Sequence, residues 1–422
     1  MKKIELLAPA GDFDKLKIAF HYGADAVYLG LKRFSLRANT GNFSDDELVE
    51  AVEYTRKLGK KLFVAMNVYF MPDQMESFIE QAKFIGKVKP DGVIISDMGA
   101  VYIFKRYAPE VPIHISTQAN TTNQAACQLY KELGVERVVV ARELKISDIR
   151  LIKNSCDIEL EAFVHGAMCI AYSGRCLLSS YMTVRGLGAR TGETKDDVRS
   201  ANSGDCSHSC RWEYALKEVQ RDDQEFPVEQ DDNGSYILSS KDICMIDHIP
   251  EMIDAGVDSL KIEGRMKSIL YISSIVRAYR TVIDAYYDNI EVDRELIYNE
   301  LNIVSHREFS TGFFFDRPME NPLLTLGGVY TREMRLAALF DVASEYGRML
   351  KIYNKISEKE SLELVKRGIA TTKVGRVDFY DKNGALLSFA RHCDTVSCRI
   401  FDISGEEIKT DQFDILRMTA DF

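Results

Sequence analysis

Short runs of apolar, mostly β-branched residues recur along the first two thirds of the chain, each closed by Gly or polar residues. Each is followed by a longer stretch whose apolar positions repeat at three- and four-residue spacing, so the repeating unit is a strand and then an amphipathic helix. The strand runs are Ile4–Leu7, Ala26–Leu31, Leu62–Asn67, Gly92–Asp97, Ile113–Thr117, Arg137–Ala141, Leu160–His165 and Ser259–Glu263. The helical patterns cover Asp12–Tyr22, Ser44–Leu58, Asp73–Gly86, Ala100–Tyr107, Asn123–Leu133 and Lys145–Asn154, each with Ser, Asp or Asn near its start or Gly near its end. Eight such strands predict an α/β fold closed as a TIM-like (β/α)8 barrel. An open doubly wound sheet is the rival, and the even run of eight strands disfavours it.

The rhythm fails between the seventh and eighth strands, from Gly166 to Asp258. A loop after a barrel strand opens on the C-terminal face, where active sites sit, so an insertion of this length there predicts function. Within it, Gly186–Asp205 is polar and Gly-rich, as a mobile lid would be, and Glu218–Asn233 is acidic. Beyond strand eight, Met266–Tyr287 and Asp293–Ile303 read as helices. From about Leu336 apolar and polar residues alternate in short runs, with turn signals at Lys382-Asn-Gly384 and Ser404-Gly405. The domains predicted are a catalytic barrel over 1–335, with the insertion 166–258, and a small β-barrel over 336–422.

Composition narrows the class. The 422 residues are 46% hydrophobic and 28% charged, which excludes low-complexity and largely disordered chains. The initial apolar run is broken at Glu5, and no stretch approaches the length of a membrane span, so a cytoplasmic location without membrane association is expected. The net charge of −10 disfavours broad nonspecific binding to nucleic acid but leaves room for a local basic face.

The insertion holds five of the nine cysteines, and four of these form two close pairs, Cys169-x6-Cys176 and Cys206-x3-Cys210. In a reducing compartment such pairs suit a four-iron four-sulfur cluster or a structural zinc, and the six-residue gap favours the cluster. Buried apolar thiols are the plainer alternative. Cys244 is a substitute ligand, whereas Cys127, Cys156, Cys393 and Cys398 read as core.

Around this centre, alternation along strand seven puts Glu161, Phe163 and His165 on one face, and Lys261 and Glu263 share a face of strand eight. Glu161, His165 and Glu263 are therefore the candidate proton-transfer groups, with a purely structural histidine as the competing reading. Arg265 and Lys267 can grip a carboxylate or phosphate, or else form a salt-bridged helix start; Gln118, Asn120 and Arg142 are further strand-end groups for a polar substrate. Basic and aromatic residues interleave in the insertion at Arg175, Tyr181, Arg185, Arg190, Arg199, Arg211, Trp212 and Tyr214, a pattern able to hold and stack on an unpaired RNA base. No nucleophile elbow, zinc helix, phosphate-binding Walker loop or dinucleotide fingerprint is present.

The segment from Glu161 through His165-Gly-Ala-Met-Cys169 and Tyr172-Ser-Gly-Arg-Cys176 to Ser179 resembles the signature of the collagenase-like peptidase family of unassigned catalytic type. So do Leu7-Ala-Pro-Ala-Gly11, Ala24-Asp-Ala-Val-Tyr28, Ser116-Thr-Gln-Ala119, Cys206-x3-Cys210-Arg-Trp212 and Lys261-Ile-Glu-Gly-Arg265. The resemblance implies an RNA hydroxylase that places a hydroxyl on a pyrimidine with prephenate, without oxygen, by means of an iron–sulfur cluster. Short members resemble makers of 5-hydroxyuridine at the tRNA wobble position. Carried over by motif, Cys169, Cys176, Cys206 and Cys210 become the ligands of a 4Fe-4S cluster and Arg265 a holder of the prephenate carboxylates. The implied partners are tRNA, prephenate and a sister chain of the family. The gap between Cys176 and Cys206 is longer than the family's usual one, which keeps Cys244 in play. A peptidase and a noncatalytic, zinc-stapled RNA-binding protein are the alternatives.

Overall fold

The computed structural model describes residues 3–35, 41–168, 207, 209, 229–231, 234–236, 241–316, 333–357 and 360–420. Seven parallel strands run in order: β1 (Glu5–Pro9), β2 (Ala26–Gly30), β3 (Lys61–Met66), β4 (Gly92–Ile95), β5 (Ile113–Ile115), β6 (Arg137–Val139) and β7 (Glu159–Ala167). An eighth, Ser259–Ile262, pairs with β7 on one side and β1 on the other, closing the α/β barrel that the sequence pattern predicts. Every residue of β1, β2 and β4 is buried, as expected of parallel strands covered on the inside by barrel packing and on the outside by helices. The helices are set by their apolar stripe and their caps. In Asp45–Lys57, Leu48, Ala51, Val52 and Thr55 face inward at helical spacing, and Ser44 and Glu47 form a reciprocal capping box at its start. None of the described helices is long and apolar enough to cross a membrane.

Part of the insertion is regular. Asp242–Cys244 pairs antiparallel with the end of β7 and parallel with Phe309–Ser310, and helix Ile249–Asp254 leads into the closing strand. The short strand is anchored by a buried ion pair in which Arg307 Nη2 and Nε lie 2.7 and 3.0 Å from Asp242 Oδ1. Period-based reading treats 166–258 as one irregular block because a three-residue strand is too short to show a period.

Inside the barrel, towards the N-terminal ends of the strands, charge is gathered rather than excluded. The Arg137 guanidinium lies 2.6 Å from Glu5, 2.7 Å from Glu159 and 3.1 Å from Glu161, and Lys261 Nζ lies 2.6 Å from the other Glu161 oxygen. Ser259 donates to Glu5 at 2.9 Å. Burial works to raise the Glu5 carboxyl, but the Arg137 guanidinium, with Lys61 and Ser259, outweighs it and holds the group below its usual range. Between that lowered value and the ordinary one near 4.3, the folded chain binds fewer protons than the unfolded chain, so the stability Glu5 contributes is lost as pH falls. The urea midpoint of unfolding should therefore decline below about pH 4, and less so in Glu5→Gln.

The second compact unit comprises residues 17–24, 267–306 and 330–422. Its six longer strands close on themselves in the order Leu362–Val365, Ile415–Thr419, Met334–Ser344, Gly347–Ile352, Thr395–Asp402, Thr371–Tyr380 and back to Leu362–Val365. Ala338, Phe340, Leu350, Leu364, Cys398, Ile400, Leu416 and Met418 fill the interior. Helices Ile269–Asp288 and Arg294–Asn302 group with these strands, so the compact unit is larger than the segment 336–422. Glu300 ties them together, accepting from Arg277 at 3.3 Å and from Arg417 at 2.8 Å. Cys127, Cys156 and Cys398 are buried as expected, but Cys393 is exposed, because it occupies a left-handed turn position (φ 69°) rather than an inward strand site.

Candidate active site at the C-terminal face of the barrel

The ends of β3, β4 and β5 bring a set of amides and hydroxyls together. Asn67 Nδ2 donates to Gln118 Oε1 at 2.6 Å, Ser96 Oγ to Asn67 O at 3.1 Å, and Tyr69 Oη to Gln118 O at 2.9 Å. Ser116 caps the short turn Thr117–Ala119, and Asn120 closes it in the left-handed region (φ 57°), which Asn tolerates better than most residues. Gln118 is buried with its oxygen held, which leaves its amide nitrogen as a donor. Asn120 Oδ1 is buried without a hydrogen-bond partner among the described residues. Buried polar atoms are rarely left unsatisfied, so an unpaired acceptor beside an available donor suits a polar ligand. His114, lower in the barrel, is a different case: burial, with Arg137, Lys261 and Lys61 nearby, pushes it well below its usual range, which makes it neutral.

Arg265 stands across the mouth, after the closing strand. It is 6% exposed, and its Nη1 donates to Ser35 Oγ at 2.7 Å. Two glycines make the space. A Cβ on Gly30 would lie 2.0 Å from Arg265 Nη1, and one on Gly11 would lie 2.2 Å from the Arg265 carbonyl oxygen. Nothing in the sequence marks Ser35 as the partner of Arg265; it precedes β3, and only the fold brings the two together.

On β7 the structure departs from simple alternation. Lys261 pairs with Phe163, but Ile262 pairs with His165, so Val164 is the extra residue of a bulge. His165 therefore leaves the Glu161–Phe163 row; it is buried with its ring 5.5 Å from Phe309, and Cys244 lies opposite it on the antiparallel strand. Glu161 lies in the interior ion network as counter-ion to Arg137 and Lys261, away from the mouth. Glu263 follows the closing strand and donates its N–H to His165 O at 2.9 Å. Of the three proposed proton-transfer groups, then, His165 and Glu263 are neighbours and Glu161 stands apart. Arg142 lies 4.1 Å over the Phe163 ring and donates to Ala167 O at 3.0 Å.

Comparison with known proteins matches residues 11–322 to the model of peptidase family U32. The chain belongs to that family. Among its relatives, tRNA hydroxylation protein P1 of Bacillus subtilis is 42% identical over 75% of this chain and 72% of its own length. A Methanocaldococcus jannaschii protein named Uncharacterized protease MJ0090 is 36% identical over 85% of this chain and 83% of its own. The 23S rRNA 5-hydroxycytidine C2501 synthase of Escherichia coli is 36% identical over 67% of this chain and 40% of its own.

In this U32 chain the matched region contains all four paired cysteines, Cys169, Cys176, Cys206 and Cys210, which lie outside the described residues. Their described neighbours are buried: Met168, directly before Cys169, and Ser207 and Ser209, between Cys206 and Cys210. Arg175, Tyr181, Arg185, Arg190, Arg199, Arg211, Trp212 and Tyr214 also lie outside the described residues. Lys267 falls in the second compact unit, where its ammonium donates to Ser305 O at 2.9 Å and lies 5.1 Å over the Tyr271 ring.

Proposed function

We propose that this U32 protein is a tRNA-modifying hydroxylase that forms 5-hydroxyuridine at the wobble position, using prephenate in an oxygen-independent reaction. The observation that carries the proposal is its 42% identity to a relative named as a tRNA hydroxylation protein. The barrel mouth supports it, with cationic and amide groups at the strand ends. Cys169, Cys176, Cys206 and Cys210 would hold a four-iron four-sulfur cluster, and thiolates flanked by buried residues are a donor set of the right kind. When bound, such a cluster supplies one-electron redox chemistry. Arg265 and Arg142 bind and orient carboxylates, Gln118 and Asn120 hydrogen-bond the polar substrate, and Glu263 with His165 moves protons.

The test is mass spectrometry of tRNA nucleosides from a strain lacking the gene. Loss of 5-hydroxyuridine-derived nucleosides is expected, and an unchanged nucleoside profile would overturn the proposal. Anaerobically purified protein should carry iron and acid-labile sulfide. Cys169→Ala should lose the iron while its far-ultraviolet circular dichroism stays that of the wild type; zinc in place of iron would refute the cluster. Arg265→Lys keeps the charge but loses the planar fork, so KM for prephenate should rise about tenfold with iron content unchanged.

A further inference from the structure

The net charge of −10 is not spread evenly. Residues 334–422 hold 14 Lys and Arg against 14 Asp and Glu, so the whole of it lies in residues 1–333. Within the neutral C-terminal barrel, the strand Thr395–Asp402 turns Val396, Cys398 and Ile400 into the core, which leaves Arg399 and Phe401 on the outer face. Its neighbours in register extend that face, with Arg376 opposite Phe401 and Lys351 opposite Thr395. Among the described residues one cation–aromatic contact lies on it, and three more fall in the segments that adjoin its strands, 351–355 and 389–391. Arg376 is 4.2 Å from the Phe401 ring centre and Lys351 is 5.4 Å from that of Tyr353, while Arg391 and Lys355 are 5.1 and 5.4 Å from that of Phe389. Tyr346 and Tyr380 stack nearby, their centres 6.0 Å apart. The aromatic rings are half-buried and the cations exposed. Asp378 lies 3.0 Å from Arg376 and Glu407 lies 3.9 Å from Arg399.

We propose that this outer face of the C-terminal barrel docks single-stranded RNA, its Arg and Lys side chains on phosphates and its half-buried rings beside unpaired bases. The inference rests on the proposed RNA substrate and adds the surface that holds it. An acidic body repels a polyanion, so docking favours regions free of net negative charge, of which this barrel is one, and rings beside guanidinium groups are an arrangement on which bases stack whatever their sequence. From Thr395 to Phe401 the face runs about 20 Å along the strand, room for several nucleotides.

The test uses the full-length protein and a fluorescein-labelled anticodon stem-loop RNA, with anisotropy read over a salt series. Phe389→Ala with Phe401→Ala should weaken binding roughly 10- to 100-fold at fixed salt. Arg376→Ala with Arg391→Ala should flatten the slope of log affinity against log salt by about one to two units, and the corresponding Lys pair should restore it. Thermal midpoints near the wild-type value confirm that the variants fold, since none of the four side chains is buried. If the wild type binds the RNA in a salt-dependent way and both double variants bind it equally well, the RNA docks elsewhere on the chain and this inference is overturned while the proposed function stands. If the wild type does not bind the RNA at all, the proposed function itself fails.

Discussion

Arg137→Met should be the most damaging single change in the barrel, lowering its stability by about 3–5 kcal/mol. The substitution keeps much of the volume and removes the guanidinium that lies within 3.1 Å of three carboxylates, Glu5, Glu159 and Glu161. Glu161 keeps Lys261, but Glu5, 9% exposed, keeps among the described residues only Lys61 at 3.4 Å and the Ser259 hydroxyl. A buried charge that loses its partner costs more than the pair contributed, because the desolvation of the survivor is no longer offset. The same reasoning gives the control: Arg137→Met combined with Glu5→Leu should recover much of the loss. Urea unfolding followed by circular dichroism measures both. A double variant no more stable than the single one would show that the network is held by something other than this pairing.

Under the proposed use of prephenate, Gly30→Ala should reduce kcat/KM for it by about 100-fold while leaving the fold intact. The new methyl would stand 2.0 Å from Arg265 Nη1 and 2.3 Å from Ser35 Oγ, distances no relaxed structure tolerates. Both neighbours are ends of movable side chains rather than backbone, so the conflict resolves by expelling the guanidinium from its place at the mouth. The barrel strand itself, with Gly30 in an extended conformation, accepts alanine. The loss should lie chiefly in KM if Arg265 binds the ground-state carboxylate, and Gly30→Ala combined with Arg265→Lys should be little worse than Gly30→Ala alone, since both act on one group. Near-normal turnover in Gly30→Ala would detach Arg265 from substrate binding.

The architecture was legible because it is periodic. Eight β-branched runs followed by helical spacing specify a barrel, and caps such as Ser44 with Glu47 mark where helices start. What escaped the sequence depends on single-residue register or on distance along the chain. A one-residue bulge at Val164 is invisible to a period of two, yet it moves His165 out of the row that holds Glu161. Glu161 looked like a candidate acid or base because alternation gives a face and not a height in the barrel; its position deep among Arg137 and Lys261 appears only when β6 and the closing strand are in place. The Gly-Arg setting of Arg265 at a strand end is visible in the sequence, whereas its hydrogen bond to Ser35, 230 residues away, is not. Lys267 lies two residues beyond Arg265 and carries the same charge, but it belongs to a different compact unit.

The closing strand has a consequence for how the chain is made. Its first residue, Ser259, hydrogen-bonds Glu5 across 254 positions of sequence, and the whole cysteine-bearing insertion lies between them. A ribosome adding about 5–20 residues per second needs roughly 13–50 s to travel from one to the other. For the last roughly 5–18 s of that interval, after β7 is complete, β1 and β7 are open sheet edges in a growing half-barrel, and Arg137 can already reach Glu5 and Glu161. The interior ion network is thus available as an early clamp that keeps the nascent sheet curved and in register while the cysteine-bearing insertion emerges.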